Sequence, residues 1–333
     1  MKHAGLHWNN MKCNFLSILN GKRDDNAEII TLDDNSIIKA VENEDTYKFL
    51  GIPEAEQHVI KDITSHLNSQ VKQRASVVWS SPLSEYNKVL ATNVFVLSPA
   101  LYFMWTEKIN IMDLRDLDII VREAMNSNNA KYKLQTNASL YLCRSKGGRG
   151  LKSFETTYKE IKVKAATRLS CEKEDRMVTV KTFDLNRKSK NRSSIIKDGM
   201  DYARNDFDST LTLTHDSFEM KYQCNEEEKV TSDKIEVAKR LKESAMTKIE
   251  SEMMRSTWQG NIFRIRRDDE HLIKHTCYNW LTNWRECPVS IINDLHSIHL
   301  QIVPTLTFTT HRLGNSTSSK ICRLCHKGNE SAK

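Results

Sequence analysis

Tyr47-Lys48-Phe49-Leu50-Gly51-Ile52, with Pro53 directly after it, is the stretch on which the fold turns. Aromatic and aliphatic residues alternate here as they do in a short strand, and Gly51 and Pro53 stop that strand abruptly. Upstream, residues 14–21 and 28–40 supply two more strand-like pieces. The second is divided by Asp33-Asp34-Asn35-Ser36, a four-residue hairpin turn between Ile29-Ile30-Thr31-Leu32 and Ile37-Ile38. Residues 14–52 therefore read as a small β-element packed at the edge of a larger domain, and the remainder of the chain reads as helix.

From Pro53 the apolar period becomes helical: Ile60, Ile63, Leu67, Val71, Ala75 and Val78 recur at three and four, with Pro53 and Glu54 suited to a first turn. Further helices are expected at about 83–97, 100–108 and 112–125, the last with a stripe of Leu117, Ile120, Val121 and Ala124, and a bundle is the natural way to bury such faces. Residues 89–105 carry no charge, but their 17 residues include Asn93, Ser98 and Pro99. They read as a buried helix pair kinked or broken at Pro99 rather than a membrane span. Residues 154–169 form a basic amphipathic helix, 186–192 an exposed basic linker or arm that also has the composition of a nuclear-localisation patch, and 194–255 a charged helical region striped by Ile235, Ala238, Leu241, Ala245, Ile249 and Met253.

Composition agrees with a helical protein. Among 333 residues there are only ten glycines and five prolines, and 39% are hydrophobic. The net charge of +7 is unevenly spread. Residues 144–192 hold fifteen Lys or Arg against six Asp or Glu, whereas 21–62 hold five against eleven. Such separation implies one electropositive face suited to a phosphate backbone, although a solvated helical surface with a basic linker has the same composition. Eight irregularly spaced cysteines and no secretory signal suggest free thiols and an intracellular protein, nuclear or cytoplasmic. No glycine-rich phosphate loop, nucleophile elbow or complete metal constellation points to a small-molecule enzyme.

With Trp8-Asn9-Asn10-Met11-Lys12-Cys13 before it, the Tyr47–Ile52 hexapeptide resembles the end of the palm in reverse transcriptases of non-long-terminal-repeat (LINE-like) retrotransposons. In that family a Lys-Cys segment precedes a hairpin and a strand that touches the primer. A second match, Leu140-Tyr141-Leu142-Cys143-Arg144-Ser145-Lys146-Gly147-Gly148-Arg149-Gly150-Leu151, resembles the basic Gly-Gly-Arg-Gly-Leu run of the family's thumb, and is preceded by a segment like residues 105–122. Together the matches occupy roughly the first half of the chain in a fixed order.

The resemblance implies a mostly α chain: a palm-edge β-element at 1–52, a helical thumb-like domain at 53–185, a basic linker at 186–195, a second helical region at 196–312 and a truncated zinc-knuckle tail at 313–333. It implies RNA template and DNA primer as partners, with Lys12, Tyr47, Lys48 and Gly51 at the primer grip and Arg144, Lys146, Gly147, Gly148, Arg149 and Lys152 facing phosphate. Glycines would let backbone approach the phosphate and the basic side chains would supply charge-assisted hydrogen bonds; the plainer alternative is a turn that admits the next helix, with its charges in solvent.

The family's Mg²⁺ ions are held by an aromatic-x-Asp-Asp hairpin. Asp33-Asp34 does not match it, because Thr31 stands at the aromatic position and the pair follows Lys12-Cys13 instead of preceding it. His271 and His275 lie one helical turn apart, but Leu272 replaces the Glu of a zinc-protease motif. Cys322-Arg323-Leu324-Cys325 supplies two possible Zn²⁺ ligands, and two do not make a site. The family's knuckle adds a His about eight residues after the second Cys, where Lys333 ends this sequence. The expectation is a reverse-transcriptase fragment that binds nucleic acid without its catalytic aspartates, with a non-enzymatic nucleic-acid-binding protein or an inert helical remnant as alternatives.

Overall fold

The computed structural model describes residues 14–15, 17–19, 22–23, 29–31, 37–40, 47–49, 52–54, 60–213, 217–224, 227–256, 258–269, 271, 278–303, 305, 321 and 326–329. The chain divides into two units, Met1–His66 and Leu67–Lys333. The first contains β1 (Asn14–Phe15), β2 (Ile18–Leu19), β3 (Lys22–Arg23), β4 (Ile29–Thr31), β5 (Ile37–Ala40), β6 (Tyr47–Phe49) and β7 (Ile52–Glu54). β4 and β5 pair antiparallel, as the flanking apolar runs predict, but with Thr31 opposite Ile37, a register one residue away from that of a four-residue turn at 33–36, and β1 joins β5 in parallel. β2 pairs with β3.

The decisive stretch departs from its expected form. Tyr47 to Ile52 is not one strand: β6 and β7 make a hairpin in which Lys48 faces Pro53 and Phe49 faces Ile52. Proline donates no ladder hydrogen bond, and a two-stranded ribbon, all edge, tolerates it. Pro53 therefore does not open the first helix, which begins at Ile60.

The second unit is built mainly of helices, and the chain as a whole is mostly α. α1 (Ile60–Ser80) carries the anticipated stripe, with Leu67, Val71, Ala75 and Val78 all buried. α2 (Glu85–Ala91) is capped by the Ser84 hydroxyl and runs into a π-helical turn at Thr92–Val96 before α3 (Ser98–Thr106). The wide turn has a visible cause. Pro99 lacks the N–H that would bond the Phe95 carbonyl and its ring would crowd it. Arg74 on α1 takes over that carbonyl through Nη1 at 2.8 Å. Glu85–Thr106 is the one segment among the described residues long and apolar enough to cross a membrane. Here it is broken and two-sided: Val96, Leu97, Ala100 and Met104 are buried, while Val94, Phe95, Tyr102 and Trp105 are exposed.

α4 (Ile111–Ser127) starts at Asn110, whose side chain accepts from the Met112 N–H. α5 (Ala138–Tyr141), a 3₁₀ turn at Arg144–Lys146 and the long α6 (Phe154–Cys171) follow. α7 (Asp175–Ser189) and α8 (Ile195–Phe207) occupy the region read as a linker. Asp184 on α7 accepts from the Ser194 hydroxyl at 2.7 Å and from the Ile195 and Ile196 amides, so these residues lock two helices together. Both helices belong to the unit Leu67–Lys333.

The all-helical expectation for 194–255 is also corrected. β8 (Ser209–Leu213), β9 (Phe218–Cys224) and β10 (Glu227–Thr231) form an antiparallel meander with β9 in the centre. Leu211, Phe218 and Met220 point to one face and pack with Val163 and Ala166 of α6, Ala203 and Phe207 of α8, and Val237, Leu241 and Ala245 of α9 (Lys234–Arg255). α9 buries Leu241, Ala245 and Met253 as its stripe predicts, whereas Ile235 is exposed. A second core gathers Ala138 and Leu142 with Met253, Phe263, Leu281 and Ile292, joining α5 and α9 to α10 (Asn261–Asp268), α11 (Asn279–Asn283) and α12 (Val289–His299).

Candidate nucleic-acid interface

The Cys143–Leu151 segment is a tight backbone knot. The Cys143 carbonyl accepts from both the Lys146 and Gly148 amides at 3.0 Å. The chain then turns back along its own approach: Arg149 N–H donates to the Ser139 carbonyl, Gly150 N–H to Leu142 and Leu151 N–H to Leu140. Two glycines are required by close approach. Gly147 has φ +90°, and a Cβ there would lie 2.5 Å from the Tyr278 ring. A Cβ on Gly148 would lie 2.0 Å from the Leu142 carbonyl oxygen.

Arg144 and Arg149 turn inward, which corrects their expected assignment to phosphate, while Lys146, its side chain 38% exposed, is paired within the protein. Arg149 is 0% exposed. Its Nη1 donates to the Ala130 carbonyl, its Nη2 donates to Asn293 Oδ1 on α12 at 2.9 Å, and its Nε stands 3.9 Å from Glu85 Oε1. Burial lowers the Arg149 pKa, Glu85 holds it up and Arg144 lowers it further. Arg144 donates to Glu85 Oε2 at 2.6 Å and to the Leu281 carbonyl at 3.0 Å, and its guanidinium covers the Tyr86 ring at 4.9 Å. Lys146 is paired with Glu250 at 2.6 Å, which Arg266 shares from the other side. A desolvated guanidinium with a planar fork is well matched to such bonds, and these side chains are committed to partners inside the protein. Gly147 and Gly148 likewise approach Tyr278 and Leu142, not a ligand. Arg144, Lys146, Gly147, Gly148 and Arg149 thus form the hub that joins α2, α9, α11 and α12.

Lys152 is the exception. It is exposed on the outer side of the knot. Its backbone is fixed by Asn93 in the π turn, whose Oδ1 accepts from the Lys152 N–H at 2.8 Å while its Nδ2 donates to the Gly150 carbonyl at 2.9 Å. Lys152 lies on the rim of a cleft of about 560 Å³ between α3, α6 and α9. Trp105, 43% exposed, contributes an aromatic wall; Lys164 and Lys242 add positive charge, and Glu160 the acid, in an ion pair with Lys164 at 3.3 Å. The N-terminus of α6 is turned away from external anions by a buried internal one. Asp118 accepts from the Ser153 hydroxyl at 2.7 Å and from the Phe154 N–H at 2.9 Å. Burial pushes its carboxyl up to about 6 despite these donors.

Of the remaining expected site residues, Tyr47 and Lys48 lie in β6, and Lys12 and Gly51 fall outside the described residues. So do Asp33, Asp34, His275, Cys322 and Cys325. His271 is exposed, its amide donating to Asp269. Among the described residues no group of three or more His, Cys, Asp or Glu is placed to hold a metal.

Sequence reasoning missed Glu85, Asn93 and Asn293 as partners of the motif, and Trp105 and Lys242 as residues lining the cleft beside it. Glu85 carried a signal, since it follows Ser84 at a helix start and heads the apolar segment as its acid. Asn293 and Lys242 carried none. No protein-family model matches the sequence, and no curated protein does.

Proposed function

We propose that this chain is the thumb-bearing part of a reverse transcriptase of the LINE-like class and that it binds RNA template and DNA primer through its basic helical face. The support is the fixed order of the Lys12-Cys13, Tyr47–Ile52 and Leu140–Leu151 segments, joined to the exposed Lys152 directly after the last of them. Lys152 and Lys242 are the exposed positive charges that line the cleft. Lysines placed this way read backbone charge and position a strand without reading its sequence.

The sequence contains no aromatic-x-Asp-Asp hairpin, so template-directed synthesis by this chain alone is not part of the proposal. A non-enzymatic nucleic-acid-binding role rests on the same cleft. Filter binding of an RNA–DNA hybrid across about 50 to about 200 mM salt tests both: log K falling linearly with log salt supports them. Absence of binding at the lowest salt refutes them. Template-dependent incorporation in a primer-extension assay would contradict the non-catalytic reading.

A further inference from the structure

We propose that the cleft between α3, α6 and α9 receives an unpaired nucleotide, its base stacked on Trp105 and its flanking phosphates held by Lys152 and Lys242. The proposal deepens the nucleic-acid reading above and rests on it.

Four features of the cleft point to this ligand. Its volume of about 560 Å³ lies in the range of small-molecule sites, which admits a nucleotide, whereas a double helix can reach only the lysines at its edge. Trp105 is 43% exposed, on the face of α3 that also exposes Tyr102, and it borders the cleft. An indole ring beside a recess offers a π-face to any base, but only a base that is not already stacked inside a duplex can use it. The charge is also complementary to a strand: Lys152 and Lys242 are exposed, whereas the acid Glu160 is neutralised by Lys164. The floor is preorganised, because Asn93 fixes the backbone on both sides of Leu151. A duplex gripped only by its phosphates needs none of the aromatic wall.

The test uses the full chain and fluorescence anisotropy with three probes of equal length, about a dozen nucleotides each: oligothymidylate, an abasic strand and a blunt DNA duplex. The structure predicts that oligothymidylate binds more tightly than the abasic strand. Trp105→Ala should weaken oligothymidylate binding about tenfold, remove its advantage over the abasic strand and leave duplex binding within about twofold. Trp105→Phe should restore most of the loss. If Trp105→Ala leaves oligothymidylate binding unchanged while the duplex still binds, the stacking proposal fails and the broader reading stands; that is also the outcome expected of a peptide-binding cleft. If none of the probes binds the native chain, both fail.

Discussion

Replacing Arg149 by Ala would remove a guanidinium that the structure places wholly inside the protein. Three consequences can be weighed. The Ala130 carbonyl and Asn293 Oδ1 each lose a charged donor. Glu85, itself buried, is left with Arg144 as its charge partner. A void opens where the side chain packed. Each buried polar group left unsatisfied costs about 1–3 kcal/mol, and removing one member of a buried ion pair typically costs about 3–5 kcal/mol. These overlap, so the expected destabilisation is about 3–5 kcal/mol, against a total stability of roughly 5–15 kcal/mol for a domain. Arg149→Lys keeps the charge but not the fork that reaches Ala130 and Asn293 together, and should recover less than half of the loss. Urea unfolding followed by circular dichroism measures the change. Lys152→Ala, on the exposed side of the same knot, serves as the comparison and should stay within about 0.5 kcal/mol of the parent. If Arg149→Ala loses less than about 1 kcal/mol and instead binds nucleic acid more weakly, the side chain faces outward and the hub is wrongly drawn.

The knot should be equally intolerant of a single methyl group: Gly148→Ala, whose Cβ meets the Leu142 carbonyl at 2.0 Å, should lower the urea midpoint sharply, whereas Gly328→Ala, with open space around it, should not. Asp118 gives a pH signature. Its carboxyl, raised by burial from 3.8 to about 6, holds a proton in the folded protein that the unfolded chain has released, so its contribution is present at low pH and lost as pH rises through that window, by roughly 3 kcal/mol at most. The stability of the parent relative to Asp118→Asn should therefore fall from about pH 4 to about pH 7, and a rise would refute the assignment. His296 acts in the opposite sense. Burial, with Arg149, His299 and Arg144 nearby, lowers its pKa, so the unfolded chain takes up a proton below about pH 6.5 that the folded protein refuses. Stability should fall on acidification, and the His296 ring resonances should not titrate between about pH 7.5 and about pH 6.

Local periodicity made most of the helices legible. The stripe from Leu67 to Val78 predicts a buried face, and that face is buried. The strand pair around Asp33–Ser36 was equally plain, since turn chemistry and flanking Ile residues agree. The meander escaped the sequence reading although its period of two is present in Phe218-Glu219-Met220-Lys221-Tyr222, because the charge of residues 194–255 outweighs its spacing to the eye. Pro53 misleads through a rule about helix starts, since proline is equally at home on edge strands.

The basic run illustrates a different limit. Arg144, Lys146 and Arg149 have the same local sequence whether they face phosphate or interior acids, and their partners Glu85, Glu250 and Asn293 lie 59, 104 and 144 residues away. Only tertiary structure chooses between the two. It also separates Lys152 from its neighbours, a distinction that spacing alone does not make.

The central claim is that charge on the cleft rim, and not charge in the knot, binds nucleic acid. Its most direct test is the slope of log K against log salt for an RNA–DNA hybrid, measured on the parent chain and on Lys152→Ala combined with Lys242→Ala. Each lysine that neutralises a phosphate adds about one to the steepness, so the double variant should have a slope flatter by about two. An unchanged slope would place the binding surface elsewhere and contradict the account.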